Sequence, residues 1–287
     1  VQVLSYPDPG GRVNISFYGV RGSTPSPAEC NRRYGGNTST VVIETDDDPI
    51  IFDLGTGMRT WGMTQPCDGT FRGTALVTHL HWDHIQGLPF FPPVNQDGAR
   101  LEVYAPRQES GTLREAFGDF MRPPYFPLHY SQLLGEVTFK EVFDHDFEIG
   151  SAKIKVRPVP HVGITVGYRV DIDGTSVAYV SDHQAPLALD KVAESVLDLC
   201  DGVDLLIHDS QYTPEEFARK SDWGHCTMEY ALLVAREAGV RRLCLYHHDP
   251  AHGDDELDRL HDELRTRAGV YGVDELLSAR EGLQIQL

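Results

Sequence analysis

The densest chemistry in this chain is the run Thr78-His79-Leu80-His81-Trp82-Asp83-His84, which places three imidazoles and one carboxylate within six residues. Nitrogen and oxygen donors at this density suit a borderline divalent cation such as zinc, bound at about 2.0–2.2 Å. The alternative is a solvated polar turn. Against that, the run follows the apolar stretch Ala75 to Leu80, which predicts a buried strand. Strand alternation would set His79 and His81 on one side, and a turn after the strand would return Asp83 and His84 to it.

The elements around this run come next. Alternating β-branched segments at Val13 to Val20, Thr40 to Thr45 and Ile50 to Leu54 join the Ala75 strand in a first predicted sheet. A second strand block is predicted at Val137 to Phe143, Ala152 to Val159, Val166 to Ile172, Ser176 to Val180, Leu205 to His208 and Leu243 to Tyr246. Helical spacing occurs over Leu189 to Leu199, Thr227 to Ala238 and Asp254 to Ala268, the last two stopping at Gly239 and Gly269. Residues 1–11 form a turn-rich lead-in, and 12–287 are expected to be a single domain, a sandwich of sheets covered by helices. Residues 89–135, where prolines alternate with aromatics, are expected to be a loop or flap placed on that scaffold.

Composition limits the function. The 287 residues carry 43 Asp+Glu against 25 Lys+Arg, a formal charge of −18. Such a field disfavours a nucleic-acid polymer, whose binding rests on cationic side chains, and leaves a small anionic substrate at a metal admissible. No stretch reaches the roughly 20 apolar residues of a membrane span. The five scattered cysteines form no Cys-x-x-Cys pair, which argues against a disulfide framework or a thiolate zinc site. Without a leader-like segment, the expected compartment is the cytoplasm; a homodimer is left open.

His-x-His-x-Asp-His at a strand end resembles the signature of the metallo-β-lactamase superfamily, and further marks occur in that superfamily's order. The resemblance implies a four-layer αββα sandwich of the α/β (α+β) class holding two divalent ions, zinc first, manganese or iron as alternatives. Carried onto this sequence, it gives the first ion His79, His81 and His161, and the second Asp83, His84 and His247, with Asp182 bridging. Asp53, in Ile51-Phe52-Asp53-Leu54-Gly55, would support the site from behind.

Three C-terminal runs, Leu205-Leu-Ile-His-Asp209-Ser210, Gly224-His225-Cys-Thr227 and Leu245-Tyr-His247-His248, resemble ribonuclease Z and its phosphodiesterase relatives. That frame favours His247 over His248 as the last ligand and leaves His225 facing the site. Asp209 stands where those relatives carry glutamate, and no basic arm for gripping tRNA is evident. The runs Phe17 to Pro25, Arg33 to Ser39, Gly87 to Pro93 and His247 to Pro250 resemble instead a bacterial group of small phosphodiesterase-like hydrolases.

The expected activity is hydrolysis by a metal-bridging hydroxide, with a small nucleotide-like phosphodiester as substrate. Asp83 would orient the nucleophile as well as ligate, and His225 or His248 would protonate the departing alkoxide. Phe91, Tyr125 or Phe126 would stack a base, or else pack as a flap. The competing readings are an acyl hydrolase acting on a lactone, thioester or β-lactam, and a non-catalytic metal-binding sensor domain.

Overall fold

The computed structural model describes residues 13–45 and 47–287, so the lead-in expected at 1–11 lies outside the described residues. The strands are β1 Asn14–Gly19, β2 Thr40–Glu44, β3 Ile50–Phe52, β4 Arg72–Leu76, β5 Arg100–Pro106, β6 Glu136–Val142 and β7 Asp146–Ile149, followed by β8 Ala152–Pro158, β9 Val166–Ile172, β10 Thr175–Val180, β11 Leu205–Asp209, β12 Arg242–Tyr246, β13 Glu275–Ser278 and β14 Gln284–Gln286. The helices are α1 Gly57–Gly62, α2 Trp82–Ile85, α3 Leu113–Phe120, α4 Glu194–Cys200, α5 Pro214–Lys220, α6 Met228–Glu237 and α7 Asp254–Ala268.

These strands form two seven-stranded sheets, ordered β14-β1-β2-β3-β4-β5-β6 and β13-β12-β11-β10-β9-β8-β7. Pairing is parallel from β3 to β6 and from β10 to β13, and antiparallel elsewhere. Strands covered on both faces need apolar residues on both, and the sequence supplies them. Phe17, Val41, Phe52 and Leu76 meet Val156, Tyr168, Tyr179 and Ile207 between the sheets. On the opposite faces, Val42, Ile51, Ala75 and Val103 pack with Trp61 and Phe117, while Ala178, Leu206 and Leu243 pack with Val196, Leu232 and Leu260. The result is a four-layer αββα sandwich. Thr227 caps α6 by accepting from the Tyr230 N–H, and α7 opens on Asp254, Asp255 and Glu256, which favour its positive end. No helix among the described residues is long and apolar enough to cross a membrane.

Several expectations need correction. β4 stops at Leu76, four residues short of the predicted end. Beyond it the Thr78 N–H goes to the Asp53 carboxylate (2.8 Å) instead of a neighbouring strand, so His79 and His81 lie on extended loop. Residues 89–135 are not all flap, because β5 runs through them as an interior strand with Leu101 and Val103 fully buried. The alternation Arg100-Leu-Glu-Val-Tyr-Ala105 carried that signal among the prolines. β6 joins the first sheet and not the second. The helix predicted from Leu189 begins only at Glu194, since Leu189 sits in the left-handed region (φ 51°), where a helix cannot propagate.

Candidate metal centre

The loops after β3, β4, β8, β10 and β12 converge at one edge of the sandwich and bring the predicted donors together. Three ring nitrogens face one another first: His79 Nε2 lies 2.8 Å from His81 Nδ1, and His161 Nε2 lies 3.3 Å from the same atom. His161 Nδ1 donates to the Gly224 carbonyl at 2.6 Å, which fixes its proton there and leaves Nε2 with a lone pair directed inward. Desolvation within the cluster disfavours charge on each ring, pushing His79 well down, lowering the solvent-facing His81 and taking His161 to about 4.

A second, fully buried set adjoins the first. His84 Nε2 is 3.1 Å from Asp83 Oδ2 and 3.0 Å from Asp182 Oδ1; His247 Nε2 is 3.1 Å from Asp83 Oδ2 and 3.2 Å from Asp182 Oδ2. Burial alone would raise both carboxyls, but the imidazoles hold Asp83 and Asp182 well below the usual carboxylate range. The same carboxylates, with Asp53, outweigh burial at His84 and raise it well above an ordinary histidine, so the anions around its Nε2 call for a positive charge there, either a proton or a metal ion that replaces it. Asp182 groups with donors of both sets, lying with His79 and His84 and also with His225 and His247.

The donor set fits divalent ions. Among the described residues, four overlapping triads of ligand atoms each fall within 4.8 Å, and the buried His84 Nε2 makes no hydrogen bond despite two carboxylates at contact distance. A lone pair placed there is positioned for a cation, since an unpaired buried nitrogen is otherwise costly. Asp53 completes a carboxylate–histidine arrangement. Its Oδ2 takes the His84 Nδ1 proton at 2.8 Å and the Tyr179 hydroxyl at 2.8 Å, which leaves Nε2 free to ligate.

The profile of the beta-lactamase superfamily domain matches residues 50–248. The chain belongs to the metallo-β-lactamase superfamily. It is a hydrolase of that superfamily, similar to a ribonuclease Z of Natronomonas pharaonis at 27% identity over 82% of this chain and 86% of the relative. Among solved structures it is similar to the metallo-β-lactamase fold protein YhfI of Bacillus subtilis, at TM-score 0.73 and 18% identity over 96% of this chain and 100% of that one. It is also similar to a diphosphatase of the PhnP family, at TM-score 0.69 and 18% identity over 96% and 98%.

Within this metallo-β-lactamase site, His225 and Asp209 form a buried pair. Asp209 Oδ2 accepts from His225 Nδ1 (3.0 Å) and the His183 N–H (2.9 Å), and Oδ1 accepts from the Gln211 N–H (2.9 Å). Burial opposes a charge on His225, yet Asp209 raises it above an ordinary histidine. His248, expected as a proton donor, is turned away. Its Nε2 meets the Ala279 carbonyl at 2.8 Å, its ring packs edge-on against Tyr34, and burial pushes it down to about 3. The divergence of two consecutive histidines follows from His247 itself, whose φ of 60° turns the chain. Phe91 is also excluded from stacking a substrate, being fully buried and stacked on Trp61 at 5.3 Å.

The sequence reading missed what braces His247. Arg21, fully buried, donates to the carbonyls of Gly35 (2.7 Å), Asp249 (3.3 Å) and His252 (2.6 Å), tying three motif runs together. Ser23, left-handed at φ 62°, donates its N–H to Asp83 Oδ2 at 2.7 Å. Asp53, Ser23 and His247 are all left-handed non-glycine residues, a concentration of backbone strain at the site. The one signal available for this bracing was the Arg-Gly-Ser run itself.

Proposed function

We propose that this protein is a metal-dependent phosphodiesterase acting on a small nucleotide-like phosphodiester. The observation that carries the reading is the Asp209–His225 pair, set 3.5 Å from Asp182 at the edge of the donor cluster. Such a donor suits an alkoxide departing from phosphorus; a lactone releases the same kind of leaving group, so the preference for phosphorus comes from the relatives. The similarity to a ribonuclease Z and to a diphosphatase supports the same class.

His79, His81 and His161 would hold one ion, Asp83, His84 and His247 the other, with Asp182 between them; zinc suits these donors best, and manganese or iron are compatible. Such ions, when bound, lower the pKa of water toward neutrality and offset charge on a phosphoryl group. The protein's part is positional. Asp53 and Asp209, each buried, fix the protons of His84 Nδ1 and His225 Nδ1. Asp83, whose Oδ2 accepts from the Ser23 N–H, would help hold the second ion and orient the attacking group. His225, kept protonated by Asp209, gives its Nε2 proton to the departing oxygen as the P–O bond breaks.

Residues 12–287 act as one catalytic unit in this reading. The five free cysteines accord with a reducing, cytoplasmic setting. The ribonuclease Z relatives make RNA the substrate to test against, and the charge of −18 weighs for the smaller phosphodiester. The test compares zinc- and manganese-loaded protein on bis-p-nitrophenyl phosphate, a cyclic mononucleotide, a precursor tRNA and a chromogenic lactone. Turnover of the first two supports the reading. Turnover of the lactone alone, or rapid cleavage only of the tRNA precursor, overturns it.

A further inference from the structure

The two sides of the donor cluster differ in access. Asp83, His84 and His247 are buried, whereas His81 is exposed and His161 partly so, which makes the His81–His161 side the mouth. Their rings stand 5.1 Å apart. A substrate's reacting group therefore enters past this pair, and whatever borders the pair borders the rest of the substrate.

Two exposed tryptophans border it. Trp82 is 75% exposed and lies in the chain between His81 and Asp83, where α2 turns both neighbours into the cluster and leaves the indole outside. Trp223 is 62% exposed and precedes Gly224, whose carbonyl takes the His161 Nδ1 proton. Lys220 Nζ sits over the Trp223 ring at 5.7 Å and is anchored to Asp249 at 3.1 Å, so one face of that indole is approached by a cation. Val162, next to His161, adds a 53% exposed apolar side chain at the same rim. Exposed indoles are costly to leave against water, and the remaining tryptophan, Trp61, is fully packed in the core.

We propose that Trp82 and Trp223 are specificity-determining residues that form the walls of a nucleobase cleft at the mouth, stacking the planar group of the substrate whose phosphate reaches the His81–His161 side. This rests on the phosphodiesterase reading and narrows its substrate class to nucleotides. A flat π-system suits an exposed indole in a way that an aliphatic chain or a bare sugar does not, because base–aromatic stacking is directional and tolerant of base identity. Gly224 fits the same account. At φ 96°, with an added Cβ falling 2.4 Å from the His161 ring, glycine lets the Trp223 loop approach His161 more closely than a residue with a side chain would.

The test is calorimetric titration of the zinc-loaded protein with adenosine 5′-monophosphate and with ribose 5-phosphate, which share the phosphate and differ in the base. The expected result is tighter binding of the nucleotide, saturable quenching of tryptophan emission by it alone, and roughly tenfold weaker nucleotide binding in Trp82→Ala and in Trp223→Ala. Trp82→Phe should recover most of the loss, and ribose 5-phosphate binding should be the same in all variants. Equal affinity for the two ligands, no nucleotide binding, or unchanged affinity in both alanine variants overturns the proposal. Emission that changes with protein concentration but not with ligand marks the rim as a contact between copies and overturns it too. Hydrolysis of bis-p-nitrophenyl phosphate by the wild-type protein is read separately. If it fails, the phosphodiesterase reading fails; if it succeeds while the variants bind nucleotide normally, only the cleft does.

Discussion

Gly22→Ala tests how tightly the protein scaffold sets the donor geometry. A Cβ added at Gly22 would lie 2.5 Å from His247 Nδ1, 2.6 Å from His247 Cε1 and 2.4 Å from Gln211 Oε1. Ordinary carbon contacts stand at about 3.5 Å, so the imidazole would have to withdraw by roughly 1 Å. It has little freedom to do so, being fully buried with Nε2 held between Asp83 and Asp182. Metal–ligand distances tolerate about 0.2 Å, so such a shift removes the ligand. Loss of affinity for the second ion should reach at least the 10- to 100-fold typical of disturbed supporting residues, with about 1–3 kcal/mol of overpacking lost from stability. Gly253→Ala is the control, since its Cβ would meet Cys30 only at 3.5 Å. The assay is metal content by mass spectrometry after dialysis against a zinc-buffered solution, with urea denaturation in parallel. A Gly22→Ala protein that keeps wild-type zinc affinity would show that the His247 ring is free to move or does not ligate.

Three further outcomes are expected. His225→Gln should lower kcat by about 10²–10⁴ on alkyl phosphodiesters and much less with a p-nitrophenolate leaving group, at unchanged metal content; equal losses on both would remove His225 as proton donor. Cys30 and Cys67 are exposed while Cys200, Cys226 and Cys244 are buried, with burial pushing the Cys200 thiol up to about 12, so a thiol reagent should titrate two groups in the native protein and five in guanidinium. Burial holds His248 at about 3 in the folded chain against about 6.5 unfolded, so the unfolded state takes up the proton first as pH falls. Its stabilising contribution is complete above about pH 6.5, falls by about 2 kcal/mol by pH 5 and continues downward toward pH 3; His248→Gln should flatten that part of the stability–pH curve, and identical slopes in urea denaturation would contradict it.

The donor cluster was readable from sequence because its chemistry is local and dense: four donors between His79 and His84 leave few alternatives, and the order of later motifs supplied His161, Asp182 and His247. What escaped depends on contacts distant in sequence. Nothing in the dipeptide His247-His248 says that a left-handed φ at the first ring sends the second toward Ala279. Nothing in the run around Arg21 says that carbonyls from Gly35, Asp249 and His252 close around its guanidinium. Phe91 reads as a pocket wall until Trp61 covers it. The strand pattern gave most of both sheets, yet β5 was masked by flanking prolines and β14 is too short for its pairing with β1 to show as periodicity.

The phosphodiesterase reading requires two ions held by His79, His81, His161, Asp83, His84, His247 and Asp182. Its most direct test is metal content measured alongside hydrolysis of bis-p-nitrophenyl phosphate as zinc is returned to chelator-treated protein. Activity should rise to a plateau at about two ions per chain, with Asp182→Asn reaching neither the stoichiometry nor the rate. Fewer than about one ion bound at saturation, or full loading without phosphodiester turnover, would contradict it.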